Sequence, residues 1–305
     1  MSNPNKITIL IISYKSLEKL ENCIRNIGFN KNIIIIENSN KIEIKNIIEK
    51  KYPNSKVILN HQNLGYATAA NLGFSKAKEK YVLLLNPDII IHENQINEME
   101  KEISILNDEF TLASPISDDL KDFNKNNKID NIFTNHLDLN PKKNISKADL
   151  VKGCSLLVNL SKFKNTKIFD EKFFFFFEEM DLCRRIKDKN ENIVIFNNIK
   201  IDHLSAESVD KNINEDYHCF RHWNYFWGRF YYFKKHYGFF YSLLLHFGKL
   251  ARFSLNSLRF FFISKEKYKK NKFRFLGLIN SIIGRKSVVS RKILEKNISN
   301  SDSNV

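Results

Sequence analysis

The chain has no apolar run approaching the ~20 residues that a membrane-crossing helix needs. Its N-terminal run, Ile7–Ile12, follows a single lysine and is too short for the core of a signal peptide, so it reads as a first strand. Cys23, Cys154, Cys183 and Cys219 are scattered, with no Cys-x-x-Cys pair and no zinc spacing. A disulfide framework is thereby excluded, and reduced thiols in a cytosolic protein are expected. There is no internal repeat. Acid is missing from one part only: residues 216–305 hold 18 Lys and Arg against 4 Asp and Glu, whereas residues 1–215 hold 31 against 30. The same basic segment carries 22 of the 39 aromatic residues. A length of 305 residues with 43% hydrophobic content supports a sizeable core and excludes disorder. The composition shift predicts two parts, residues 1–215 and a basic, aromatic, helical region over 216–305.

Strand and helix signals alternate in the first half. Ile7–Ser13 reads as a strand, and Leu17–Ile27 as a helix with Leu17, Leu20, Ile24 and Ile27 on one face. Strand Ile33–Ile36, helix Ile42–Lys51, strand Lys56–Leu59, helix Tyr66–Lys78 and strand Tyr81–Leu85 follow. This order predicts right-handed βαβ units, hence an α/β fold on a mostly parallel sheet flanked by helices. Residues 116–144, rich in Asn, Asp and Lys, read as a surface excursion. Structure resumes over Leu150–Asn159 with a short strand carrying Gly153, and later with strand Ile193–Phe196 and its extension Ile199–Ile201.

Two stretches carry chemistry. The apolar run from Tyr81 closes on Asn86-Pro87-Asp88, as a buried parallel strand would deliver a polar residue to the ligand-binding carboxyl edge of the sheet. Phe173–Phe177 run straight into Glu178, Glu179 and Asp181. Carboxylates beside so apolar a wall are costly unless paired, metal-bound or functional. Asp181 is expected to cap or orient a helix starting near Met180. Ser13 and Tyr14 end the first strand and Glu37 and Asn38 the second, so all four fall on the same edge. Gly65, in Asn63-Leu64-Gly65-Tyr66, permits close backbone approach ahead of a helix whose N–H groups can meet phosphates; Asn71 and Gly73 lie further along that helix.

Taken in order, ITILIISYKS, IIIIENS, NLGYATAANLGF, YVLLLNPD, KGCSLLV, FDEKFFFFFEEMDLCRRI and His203 resemble the inverting glycosyltransferases of family 2, which have the GT-A fold, and within them the rhamnosyltransferase-like branch. The resemblance covers roughly Ile7–Ser208. It implies a nucleotide-sugar donor, dTDP-rhamnose or another nucleotide hexose, held by Ser13, Tyr14, Glu37, Asn38, Asn63, Gly65, Asn71, Asn86, Gly153 and Arg185. It further implies a divalent cation, Mg²⁺ or Mn²⁺, on Asp88 and His203. Glu179 is implied as the base that deprotonates the acceptor hydroxyl, with Glu178 and Asp181 beside it. Three positions depart from the commonest pattern: Glu37 and Glu179 stand where Asp is usual, and Asn86 stands in the first place of an Asp-x-Asp, as in the rhamnosyltransferase-like branch. The longer Glu179 must fold back, or the acceptor must sit further out. Asn86 and Glu179 also leave open a second reading, a non-catalytic glycan- or nucleotide-sugar-binding subunit. A nucleotidyltransferase would need a Gly/Arg/Lys-rich phosphate loop after strand one, and SYKSLEK has neither glycine nor arginine.

In the basic region Phe240, Leu243, Leu244, Phe247, Leu250, Ala251, Leu255, Leu258 and Phe262 recur at helical spacing. Ser242, His246, Lys249, Arg252, Asn256 and Arg259 fall opposite. Nucleic-acid binding would need a stacking platform or a helix-turn-helix, and neither is visible. The pattern fits an anionic membrane surface or a packed helical cap, with a homodimer contact as a further option. The resulting expectation is a cytoplasmic enzyme peripheral to the inner face of the cell membrane, acting on a glycan or lipid-linked acceptor in lipopolysaccharide or other cell-surface polysaccharide assembly. Residues 299–305 read as a frayed end.

Overall fold

The structure is a computed structural model that describes residues 7–117, 130, 133, 143–204 and 215–287, with the side chains of 215–217 excepted. Most of the expected excursion at 116–144, most of the border near 210–216 and the whole of the end at 299–305 lie outside the described residues. The chain divides into two compact units. One joins Met1–Asp170 to Glu179–Ser208, and the other joins Glu171–Glu178 to Val209–Val305.

The first unit is a mixed sheet covered by helices. Its elements are β1 (Ile7–Ser13), α1 (Leu17–Ile27), β2 (Ile33–Glu37), α2 (Ile42–Lys51), β3 (Ser55–Leu59), α3 (Tyr66–Phe74), β4 (Tyr81–Leu85), β5 (Ile89–Ile90), α4 (Glu93–Leu106), β6 (Leu112–Ser117), β7 (Ile145–Ala148), β8 (Ser155–Asn159), α5 (Glu178–Asp188) and β9 (Ile193–His203). The sheet order is β3-β2-β1-β4-β8-β6-β9-β5, with β7 also on β9. β1 and β4 are buried along their whole length, as strands covered on both faces must be, and their residues form apolar runs rather than alternations. The pairs β1–β2, β2–β3 and β1–β4 are parallel. β8 then inserts antiparallel to both β4 and β6.

Three local expectations are corrected. α3 stops at Phe74, not Lys78, because the N–H groups of Lys76 and Ala77 bond three residues back, to Gly73 and Phe74, and tighten the chain out of the helix. Gly153 lies in a turn just ahead of β8, not within the strand. α5 begins at Glu178, so Asp181 sits inside its first turn and cannot be its cap. Phe176 and Phe177, at φ 73° and 74°, precede that start. A left-handed conformation at two bulky residues is strained, and such strain persists only where the surrounding structure imposes it.

Gly73 fixes how closely α3 approaches the sheet, since a Cβ there would lie 2.3 Å from Leu10 Cδ1 and 2.9 Å from its Cγ. Leu10 is fully buried and has nowhere to swing. Gly73→Ala should therefore lower unfolding free energy by about 1–3 kcal/mol despite the better helix propensity of Ala. Urea unfolding of the two proteins measures this directly.

The second unit holds helices α6 (Glu215–Tyr237), α7 (Phe239–Phe260) and α8 (Lys265–Ile282). Phe230, Phe253 and Leu278 form its centre. The phenylalanine run belongs here: Phe173 meets Tyr231 at a ring separation of 4.9 Å, and Phe177 meets Tyr232 at 5.9 Å. α7 buries Ser242, His246 and Phe253. Ser242 donates to the Phe230 carbonyl, and His246 Nδ1 lies 2.8 Å from the Ser242 carbonyl. The Ser242 and His246 side of this helix thus faces inward, while Arg252 and Arg259 stay exposed. Lys249, read as flanking the apolar stripe, is half-buried, and desolvation lowers its pKa.

Candidate functional site

The parallel strands bring the first group of residues to one edge. Ser13 pairs with Glu37 in register across β1 and β2, and β4 ends two residues before Pro87. Glu37 is fully buried. Its Oε1 accepts from the Lys15 N–H (3.0 Å) and the Ser39 hydroxyl (2.5 Å), while Oε2 has no hydrogen-bond partner. A buried carboxylate oxygen without a donor is what a ribose hydroxyl or a base N–H would satisfy. Ser13 is buried, with its hydroxyl 3.2 Å from that of Ser16, and Tyr14 is half-buried beside it.

The Asn38 amide is engaged within the protein. It donates to Asn63 Oδ1 (3.0 Å) and the Gly65 carbonyl (3.2 Å), and it accepts from Asn60 Nδ2 and the Leu64 N–H. All four hydrogen-bonding positions of the amide are used to shape the loop that delivers Gly65, at φ 83°, to the amino end of α3. Asn71 likewise clamps the Phe169 backbone, accepting from its N–H and donating to its carbonyl.

Asp88 and His203 come together because β5 pairs with β9, placing His203 opposite Ile89. His203 Nε2 lies 3.6 Å from Asp88 Oδ1, with both side chains nearly buried. Lys152 Nζ lies 3.4 Å from His203 Nδ1. Sequence reasoning missed this lysine; its signal was a cation inside KGCSLLV, immediately before Gly153. Desolvation lowers the Lys152 pKa, opposed by Cys154, Asp88 and Glu179.

Glu179 packs on Gly153, where an added Cβ would meet its side-chain carbons at 3.4–3.5 Å. The Gly153 carbonyl accepts from the Tyr66 hydroxyl (3.0 Å). Burial pushes the Glu179 pKa above the ordinary carboxylate value, and the backbone N–H groups of Glu179 and Met180 pull it down. The side chain is half-buried. Asp181 is fully buried and accepts from Arg185 Nε (2.9 Å), whose Nη2 donates to the Ile168 carbonyl (2.6 Å). These two brace α5. Glu178 is buried at the first position of α5, and Asn86 is half-buried, with its N–H on the Cys154 carbonyl.

Among the described residues no group of three or more His, Cys, Asp and Glu could hold a metal ion. Asp88 and His203 would be two ligands among the described residues for a divalent cation, and hard cations are often completed by substrate phosphates and water. Asp88 fits as it stands. A charged lysine can only donate, so its contact with Nδ1 leaves the His203 proton on Nε2; ligation through Nε2 requires that proton on Nδ1 and Lys152 turned elsewhere. A cavity of about 240 Å³ near Tyr81, Ile103 and Asp108 lies by the opposite end of β4 and takes no part.

The family model described as Glycosyl transferase family 2 matches residues 8–162. A low-salt glycan biosynthesis hexosyltransferase of Haloferax volcanii, Agl10, is 24% identical over 198 residues, 61% of this chain and 63% of its own length. The match thus spans less than two thirds of that relative. Among solved structures, the mannosyltransferase PcManGT from Pyrobaculum calidifontis, in complex with GDP-Man and Mn²⁺, matches with a TM-score of 0.55 at 11% identity, over 92% of this chain and 88% of that one. Residues 1-349 of S. aureus TarS match with a TM-score of 0.50 at 12% identity, over 92% of each chain. At such identities the likeness is one of fold.

Proposed function

The chain belongs to glycosyl transferase family 2, and from that premise we propose that it is an inverting hexosyltransferase. It moves a sugar, rhamnose or another hexose, from a nucleoside-diphosphate donor to a hydroxyl of a glycan or lipid-linked acceptor in cell-surface polysaccharide assembly. The observation that carries this reading is the Asp88–His203–Lys152 cluster, joined through Gly153 to the raised-pKa carboxylate of Glu179. Such a juxtaposition offers a charge-neutralising end for a diphosphate and a base for the attacking hydroxyl.

Glu37 Oε2 takes a ribose hydroxyl or base N–H, and the loop built by Asn38 brings the Gly65 backbone and the α3 amino end to the donor. The acceptor oxygen forms its bond to the anomeric carbon as the bond to the diphosphate oxygen breaks on the opposite face. Its proton passes to Glu179, and the nucleoside diphosphate leaves. Asp88, with His203, would hold a divalent cation, which when bound would supply charge neutralisation of that leaving group; PcManGT was solved with Mn²⁺ and GDP-Man. Lys152, released from His203, is placed to add a second positive charge. Lys152→Met should then lower kcat/KM by about 10- to 100-fold, the range for a hydrogen bond to a charged group.

Glu179 must be ionised to accept the proton. With its pKa raised by burial, activity should fall with decreasing pH at values above the 4.5 of an ordinary glutamate. A kcat/KM–pH profile whose acid limb shifts in Glu179→Asp locates that group. The identifying experiment incubates the purified full chain with UDP-, GDP- and dTDP-sugars, each with Mn²⁺, Mg²⁺ or EDTA. Release of one nucleoside diphosphate, lost in EDTA, supports the reading and names the donor. A nucleotide that binds without turnover, even with acceptor glycans present, favours the non-catalytic subunit.

A further inference from the structure

α7 turns its apolar stripe away from its own unit. Phe240, Leu244, Phe247, Leu258 and Phe262 are 78%, 79%, 66%, 71% and 91% exposed, and Leu255 is exposed between them. With the exposed Ala251 bridging Phe247 and Leu255, steps of three and four put them in one row along a helix of 22 residues, about 33 Å long, and Phe262 follows just past its end. Exposed leucines scattered singly mean little, but a continuous row of large apolar side chains marks an interaction face. Burial of Ser242, His246 and Phe253 on the other side leaves this row out of the helical packing.

The charge around the row selects the partner. Arg252 and Arg259 are exposed along its border, and Lys265, Lys267, Lys270 and Lys272 are exposed just beyond Phe261–Ile263, themselves three exposed apolar residues in succession. Between Asp216 and Glu295 the only acid is Glu266. A second copy of the chain would set one strongly basic region against another, whereas anionic lipid headgroups complement it. Among the described residues no helix is long and apolar enough to cross a membrane.

We propose that the exposed face of α7, with Phe261–Ile263, lies in the surface of an anionic lipid bilayer. The apolar row enters the headgroup–acyl boundary, and the flanking Arg and Lys reach the phosphates. The inference rests on this face alone and on no step of the transfer chemistry.

The test is co-sedimentation of the full chain with vesicles of phosphatidylcholine alone and of phosphatidylcholine mixed with phosphatidylglycerol, at low and high salt. Binding to the anionic vesicles, weakened by salt, is expected. The triple variant Leu244→Ser/Leu258→Ser/Phe262→Ser should lose it by about 10-fold or more at unchanged circular dichroism. Arg252→Gln/Arg259→Gln should lose mainly the salt-sensitive part. Absence of vesicle binding, binding that ignores the serine variant, or association of copies that the serine variant abolishes would each overturn the proposal.

Discussion

Glu179→Gln should bind nucleotide as the parent does and lose sugar transfer by about 10²- to 10⁴-fold, the contribution of a positioned general base. The amide keeps the size of the carboxylate and its packing on Gly153. Only the capacity to take a proton is removed. Isothermal titration with the cognate nucleoside diphosphate separates the two effects: unchanged affinity with lost turnover places Glu179 at the chemical step. Full turnover in the glutamine variant would remove it from that step.

Asp88→Ala is expected to be comparably damaging by a different route. Cation stabilisation of a diphosphate leaving group is worth several kcal/mol, so its loss should cost about 10³-fold in kcat/KM. The main-chain bond from the Leu204 N–H to the Asp88 carbonyl survives the change, and so does the β5–β9 pairing. The variant should also lose its response to Mn²⁺ and Mg²⁺, and Asp88→Asn should lose it too while restoring bulk. A variant as active as the parent and equally inhibited by EDTA would put the cation elsewhere.

Much of the first unit was legible. β1, α1, α2 and β4 match their sequence-based bounds residue for residue, because continuous buried runs and a single 3.6-periodic face leave little choice of structure. β8 between β4 and β6 was not legible, since its partners lie more than forty residues away and nothing in SLLVN names them. α7 shows a different limit. Periodicity told which residues share a face, and Phe240, Leu244 and Leu258 do, but it cannot tell which way that face turns. The inward side was decided by α6, through the Ser242 bond to the Phe230 carbonyl.

In the candidate site, strand ends were readable, and so was the gathering of Ser13 with Glu37 and of Asp88 with the carboxyl edge. Roles within it were less so. Asn38, Asn71 and Arg185 sit in the motif series, and only the structure shows that the side chain of each also bonds backbone carbonyls. Lys152 went unnoticed because its significance depends on His203, fifty-one residues away in sequence and 3.4 Å away in space.

The most direct measurement is time-resolved proton NMR of the sugar released from the cognate donor. A single displacement with Glu179 as base predicts that the first anomer to appear has the configuration opposite to that in the donor, and that Glu179→Gln releases none. A first anomer of retained configuration, or release undiminished in the variant, would contradict the account.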